Sequence, residues 1–281
     1  MYNRRLAFKN SMLYIILILI AFFSLFPILF AISGSLRTQN DMFSNMLPFT
    51  VKSIIPTEFT FENYIIIFRD YGFGRPVLNS FIVTGLTIFF GLLINSIAAF
   101  SFSTFRFKGK EIIYTLVLIS FMVPFESIAI PLYGIVDKLG MVDSYAGMVV
   151  PAIGDGLVVM LFVQFFKSIP KSLIEAARVD GASWLTIFFK IIMPTTKTVF
   201  VSAGLMMFMT QWNSYLWPLL VGRSKEIRTV QIAISQFAGE YGTQWTLIYA
   251  AAVISILVPI TLFLPAQQSF VEGLTAGSIK G

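Results

Sequence analysis

S-I-P-K-S-L-I-E-A-A-R-V-D-G-A-S-W-L-T-I-F-F-K-I-I-M-P, residues 168–194, is an island of charge and small side chains in a chain that is otherwise very apolar. Pro170 suits the first turn of a helix, where its missing N–H costs nothing. Lys171 to Asp180 reads as that helix, Gly181 as its stop or bend, and Ser183 as the cap of a second helix leading to Pro194. Ala177 and Gly181 are four apart and share a face, with Ala176 and Ala182 beside them, so another backbone could come close there. Glu175, Arg178 and Asp180 surround that face and could orient a partner. Two readings stand on this local pattern: a plug for a socket on another protein, or a loop helix resting on lipid headgroups.

The surrounding chain belongs in a membrane. Of its 281 residues 57% are hydrophobic, 12% are charged and 30 are Phe, and the mean hydropathy is +0.82. Soluble domains carry about 25% charged residues. Apolar runs long enough to cross a bilayer fall at 12–32, 77–103, 112–133, 146–166, 195–216 and 245–265. The expected fold is therefore an all-α membrane protein, one domain over residues 1–281 with six transmembrane helices. A cleaved signal peptide is the alternative for the first run, but its apolar core would be shorter, roughly 7–15 residues. Residues 33–76 form a long polar connection with an amphipathic helix near 60–68, and 266–281 form a tail. Twelve of the 20 Lys and Arg residues lie in segments on the same side as the N-terminus. By the positive-inside rule, both termini and the 168–194 segment are then cytoplasmic. Excess positive charge, +6 overall, fits membrane flanks and does not imply nucleic acid.

Several chemistries are excluded or disfavoured. With no Cys and no His, the chain has no disulfide, no thiolate and no imidazole ligand for a metal. It contains no G-x-x-x-x-G-K-[ST] loop, so ATP and Mg, if they drive it, sit on another chain, and no cofactor is expected here. A lipid-modifying enzyme would need clustered acid, base or metal ligands at one depth; the carboxylates are isolated. A secondary transporter would often show an internal inverted repeat, and none is apparent.

The spacing of the opening stretch decides between its two readings. Glu175-Ala176-Ala177, three residues, Gly181, nine residues, Ile191, one residue and Met193-Pro194 resemble the EAA signature of ABC-importer permeases. Met193 stands where that family usually has Leu. The resemblance implies a coupling helix, with Glu175, Ala176, Ala177, Arg178, Asp180, Gly181, Ala182, Ile191 and Pro194 docking into a cleft of the ATPase subunit. It also implies the type I importer fold. The partners would be a homologous second permease, two copies of a cytoplasmic ATPase, an extracytoplasmic solute-binding protein and membrane lipid.

Further regions bear on the substrate. M-V-P-F-E-S-I-A-I-P-L-Y (122–133) puts Pro124 and Pro131 in one span. Freed carbonyls at membrane depth are tolerated only beside protein or water, so the span either lines a pathway or carries a packing kink. Glu126 and Asp155 are carboxylates inside apolar runs. They either meet a polar solute or gate, or pair with the partner permease or headgroups. Asn95, Gln164, Gln211 and Asn213 are weaker cases, since amides also join helices. Trp212, Tyr215 and Trp217 in Q-W-N-S-Y-L-W-P (211–218) read as an interfacial belt, with sugar stacking as a second role. The 122–133 and 211–218 segments resemble those of carbohydrate-type permeases. The loop 222–244, with Arg223, Glu226, Gln236 and Glu240, is an ordinary connection by itself; in the maltose-type group the loop here reaches the binding protein. The tail F-V-E-G-L-T-A-G-S-I-K-G (270–281) resembles that group's C-terminus, which implies ATPase contacts by Thr275, Gly277 and Lys280. A sugar or oligosaccharide importer in a bacterial cell membrane is the expectation, with an amino-acid, peptide or phosphate-ester importer of the same fold as the rival.

Overall fold

The computed structural model describes residues 2–239 and 242–275; Glu240, Gly277 and Lys280 lie outside them. In chain order the helices are α1 (Tyr2–Ser35), α2 (Gln39–Ser44), α3 (Val51–Ile54), α4 (Glu62–Arg69), α5 (Gly74–Thr104), α6 (Lys110–Met122), α7 (Phe125–Lys138), α8 (Tyr145–Ile153) and α9 (Gly156–Ser168). There follow α10 (Lys171–Val179), α11 (Trp184–Ile187), a π turn at Phe188–Ile192, α12 (Met193–Thr195), α13 (Lys197–Trp212), α14 (Leu216–Val221), α15 (Val230–Ser235) and α16 (Trp245–Thr275). Ala238–Gly239 and Gly242–Thr243 pair as a two-residue antiparallel ribbon.

Among the described residues, three helices are long and apolar enough to cross a membrane unaided, at Met12–Ser35, Gly74–Thr104 and Trp245–Gln268. Three helix pairs reach that length and apolarity only when taken together across a short break, as in a broken span or a re-entrant loop: α6 with α7 (105°), α8 with α9 (43°), and Trp184–Thr195 with α13 (82°). Each bend has a local cause. Pro124 drives Val123 to φ −75°, ψ 122°, because its ring disfavours a helical residue before it. The third run is thus broken at Pro124 and α7 continues to Lys138, past the expected end at Tyr133; Pro131 sits inside α7 without ending it. Gly154 and Asp155 are extended between α8 and α9. Pro194 has no N–H to offer the carbonyl of Lys190, and the chain widens into the π turn just before it. Thr196 then leaves the helix at φ −113°, its hydroxyl donating to the Ile192 carbonyl at 2.6 Å.

Two further expectations change. Residues 266–275, read as tail, prolong α16 through Pro259 and Pro265. The 222–244 loop is more than an ordinary surface connection, since Ile227, Val230 and Ile232 are buried in it. The amphipathic helix near 60–68 appears as α4.

The described residues pack as two units, one drawn from 2–74 and 233–258 and the other from 75–232 and 259–275. In the first, Gly34 of α1 lies so close to Tyr249 that a Cβ would strike the ring. Phe30 meets the same ring edge-on at 5.9 Å. Past Ser35 the chain folds into a cap with a polar centre. The Asn63 amide donates to the carbonyls of Ser35 (2.9 Å) and Arg37 (2.8 Å), and Arg37 pairs with Asp41 at 3.6 Å. In the second unit, two apolar cores occupy the two ends of α5. Val83 packs with Val136, Met148, Val149, Trp217 and Val221. Ala99, Phe100 and Phe102 pack with Phe162, Phe188, Val199 and Ala203.

Candidate coupling knob and translocation cavity

The 168–194 segment folds by its own sequence. Pro170 stands just before α10 rather than in its first turn, at φ −58°, ψ 128°. Gly181 takes φ +79°, the left-handed conformation that ends helices. Its N–H donates to Arg178 O (3.1 Å), and Ala182 N–H to Ala177 O (2.9 Å). The Arg178 guanidinium closes the turn by donating to Ala182 O at 2.7 Å and lies over the Trp184 ring at 4.7 Å. Ser183 caps α11 as its type predicts, accepting from Thr186 N–H at 3.1 Å.

The small-residue face is divided, with Ala177 and Ala182 turned inward and Ala176 and Gly181 outward. Ala177 is buried in the core that contains the end of α5, and Ala182 packs against it. Small side chains let α10 lie close to its own spans. The outward surface is formed by Glu175, Ala176, Val179 and Asp180, with Gly181 exposed at the tip. Ile191 is half-buried against the same core and Pro194 is exposed.

A cavity of about 340 Å³ opens in the second unit. Asp155, Trp217, Thr87, Thr210, Gln211 and Ser214 line it with Phe125 and Pro151 among others. Asp155 is there for a local reason: its Oδ1 accepts from Leu157 N–H (2.9 Å) and Val158 N–H (3.2 Å), capping α9. Asn95 holds the break from the other side, donating to Ile153 O at 2.8 Å and accepting from Asp155 N–H at 3.0 Å. The Thr87 hydroxyl is buried and makes no hydrogen bond among the described residues. Thr87 is 2% exposed and borders the cavity with its hydroxyl covered.

The other sequence candidates divide. Pro124 forms the corner beside the cavity-lining Phe125, while Glu126 stands exposed in the first turn of α7. Asn213 is exposed and donates to Met209 O at 2.8 Å. The aromatic belt is not one. Trp212 is 2% exposed, against Phe81 and Phe208. Trp217 is buried too, its indole N–H donating to Gly147 O at 3.1 Å, and of the three only Tyr215 is exposed. Thr87, Thr210 and Ser214 escaped the sequence reading. Their one signal is that Thr210 and Ser214 are four apart and flank Gln211.

In the 222–244 segment, Arg223 lies over the Tyr133 ring at 5.5 Å and donates to its hydroxyl. Asp143, at φ +58°, accepts from Ser224 N–H at 2.7 Å. That backbone N–H, foremost, holds the Asp143 carboxyl below the usual carboxylate range. Glu226 is exposed, and its carbonyl accepts from Arg75 (3.0 Å) and Asn79 (2.8 Å). Gln236 is exposed. Thr275 ends α16.

Bent spans around a cavity, with a charged turn mounted on their shared core, define a membrane transport subunit. Residues 88–274 match the family described as binding-protein-dependent transport system inner membrane component, and the chain belongs to that family. Among curated relatives, the arabinooligosaccharides transport system permease protein AraQ of Bacillus subtilis (strain 168) is 35% identical over 92% of this chain and 91% of its own. The lactose transport system permease protein LacG of Rhizobium radiobacter is 30% identical over 95% of each. A chain from the crystal structure of a bacterial ABC transporter involved in the import of the acidic polysaccharide alginate superposes with a TM-score of 0.81, covering 95% of this chain and 96% of that one at 22% identity. It shares the fold, the type I importer permease. The chain is a transporter subunit and not an enzyme.

Proposed function

We propose that this chain passes a sugar or oligosaccharide across the bacterial cell membrane by alternating access, as one of two permeases of an ATP-driven importer. The observation that carries the reading is its likeness, over nearly its whole length, to permeases named for arabinooligosaccharide and lactose transport. The cavity suits such a solute: Thr210, Gln211 and Ser214 bring hydroxyls and an amide beside the Trp217 and Phe125 rings.

The α10 turn is the handle. It faces the cytoplasm together with both termini, and Glu175, Val179, Asp180 and Gly181 meet an ATPase subunit, which carries the ATP and Mg. Because Ala177 and Ala182 are packed into the same core as α9 and α13, force on the turn moves those spans as a body. Nucleotide shifts the equilibrium between outward- and inward-facing states only by the difference in its affinity for them. A second permease completes the pathway, and a solute-binding protein delivers the sugar near Arg223, Glu226 and Gln236.

The test is ATP hydrolysis by the reconstituted complex with its binding protein and a panel of oligosaccharides. Stimulation by one sugar supports the reading. Stimulation only by an amino acid, peptide or phosphate ester overturns the substrate class, and uptake without any ATPase overturns the mechanism.

A further inference from the structure

The Arg178 side chain turns back onto its own chain. Its guanidinium donates to Ala182 O at 2.7 Å and lies over the Trp184 ring. Trp184 in turn meets the Phe105 ring edge-on, with 4.8 Å between centroids and 87° between planes. Phe100 is close to both, 5.8 Å from Phe105 and 6.5 Å from Trp184. Phe105 is the first residue past α5, and its carbonyl accepts from the Lys110 ammonium at 3.0 Å, where α6 begins. A single file of contacts thus leads from the α10 turn to the turn between α5 and α6. The α10 turn does not need the guanidinium to close. The N–H groups of Gly181 and Ala182 already hold the carbonyls of Arg178 and Ala177, and Ser183 caps α11. Nor do the neighbouring acids take it: among the described residues, Arg178 forms no ion pair with Glu175 or Asp180. A cation held over an aromatic face adds orientation to a joint that the backbone has already ended.

We infer that Arg178 is a positioning residue. Acting through Trp184 and Phe105, it fixes the α10 turn against the α5–α6 turn, so a load on α10 reaches α5 and α6 as well as α9 and α13. The residue type fits the task. A planar guanidinium can lie flat on the indole while an in-plane N–H reaches the Ala182 carbonyl, and a lysine ammonium has no such plane. The destinations matter for transport. α5 carries Asn95, which grips the break between α8 and α9. α6 runs to the Pro124 corner, beside Phe125 at the cavity. The family resemblance groups Arg178 with the residues that dock into the ATPase; on this geometry docking is left to Glu175, Val179, Asp180 and Gly181. This role rests on the reading of the α10 turn as the handle.

The chain has no cysteine, so nitroxide labels can be placed on it without background substitution. Lys108→Cys in the α5–α6 turn and Lys171→Cys at the start of α10 are both exposed positions. Pulsed dipolar spectroscopy reads the distance between them in the full transporter reconstituted in vesicles, and sugar uptake is measured beside it. The labelled parent is expected to show one narrow distance. Arg178→Ala and Trp184→Ala should each lose it. Uptake should fall about tenfold in each, the combined effect of an exposed cation–aromatic contact and one hydrogen bond. The double variant should be no worse than the worse single, because the two side chains act in series. Trp184→Phe, which keeps a ring face, should keep the narrow distance; Trp184→Leu, which keeps only bulk, should not. A narrow distance in Arg178→Ala or in Trp184→Leu overturns the inference, and so do losses that multiply in the double variant. Lost uptake at an unchanged distance overturns it too, since Arg178 would then act on the ATPase directly. The distance needs neither sugar nor nucleotide. Broadened distances with normal uptake would therefore count against the handle while leaving the positioning role of Arg178 intact.

Discussion

Asn95 and Asp155 hold each other across the break in the fourth span, the backbone N–H of Asp155 donating to the Asn95 side-chain oxygen at 3.0 Å. The Asn95 amide reaches the Ile153 carbonyl at 2.8 Å in the same grip, so two backbone groups freed by the bend are satisfied by one side chain. Asn95→Leu leaves both without that partner, at about 1–3 kcal/mol each. The expected result is a lower melting temperature in detergent and less protein in the membrane, read by thermal shift and immunoblot.

Asp155 itself separates two roles. As a helix cap it is worth about 1 kcal/mol, so Asp155→Ala lowers the melting temperature. Asp155→Asn keeps an accepting oxygen and leaves stability nearly unchanged. If Asp155→Asn is as stable as the parent yet transports poorly, the charge acts on the solute and not only on α9.

The buried, unpaired Thr87 hydroxyl gives a complementary case. Thr87→Val costs no internal hydrogen bond, so the folded protein is at least as stable. With its hydroxyl covered, Thr87 is not expected to meet the sugar, so the apparent KM is unchanged. A higher apparent KM would place Thr87 in the solute path.

Gly181→Pro cannot adopt φ +79°, because proline fixes φ near −65°, and it also deletes the N–H that donates to Arg178. Glu175→Lys changes only an exposed side chain, for which the stability effect is usually within about 0.5 kcal/mol. Both are expected to abolish transport, and Glu175→Lys to do so at normal membrane levels and normal melting temperature. Normal uptake in both variants would refute the ATPase-docking role.

Asp143 sets a pH dependence. Its pKa is lowered in the folded protein, so the Ser224 clasp adds stability that is present above the unfolded value, about 3.9, and is lost as pH falls through the folded value. Protection of the Ser224 amide from hydrogen exchange should therefore hold at neutral pH and fail only in strong acid. Asp143→Val should remove it at every pH, because a branched side chain resists φ +58°.

The helices were legible where a single physical signal dominates. Unbroken apolar runs marked α1 and α5, and Gly181 and Ser183 marked the turn after α10 because backbone conformation and capping are local. Orientation within the bundle was not legible. Ala177 reads as a contact face by size alone, and only packing shows that it faces inward. Trp212 and Trp217 read as a belt because they lie near a span end, yet the chain folds back there and buries both. Pro124 announced a disruption, but nothing local states that the two arms diverge by 105°. Asp155 is both a cap and a cavity wall, and the sequence alone could name only that it needed a partner.

The π turn at Phe188–Ile192 carries one residue more than an ordinary helical turn would. Each helical residue advances about 100° around the axis. Deleting one residue there would let ordinary winding resume and rotate Trp184 and the Arg178 stacked on it relative to α13, so the handle would present a different side to its engine. The extra residue works as an angular setting, and a shortened chain would be expected to dock out of phase while keeping every one of its membrane crossings.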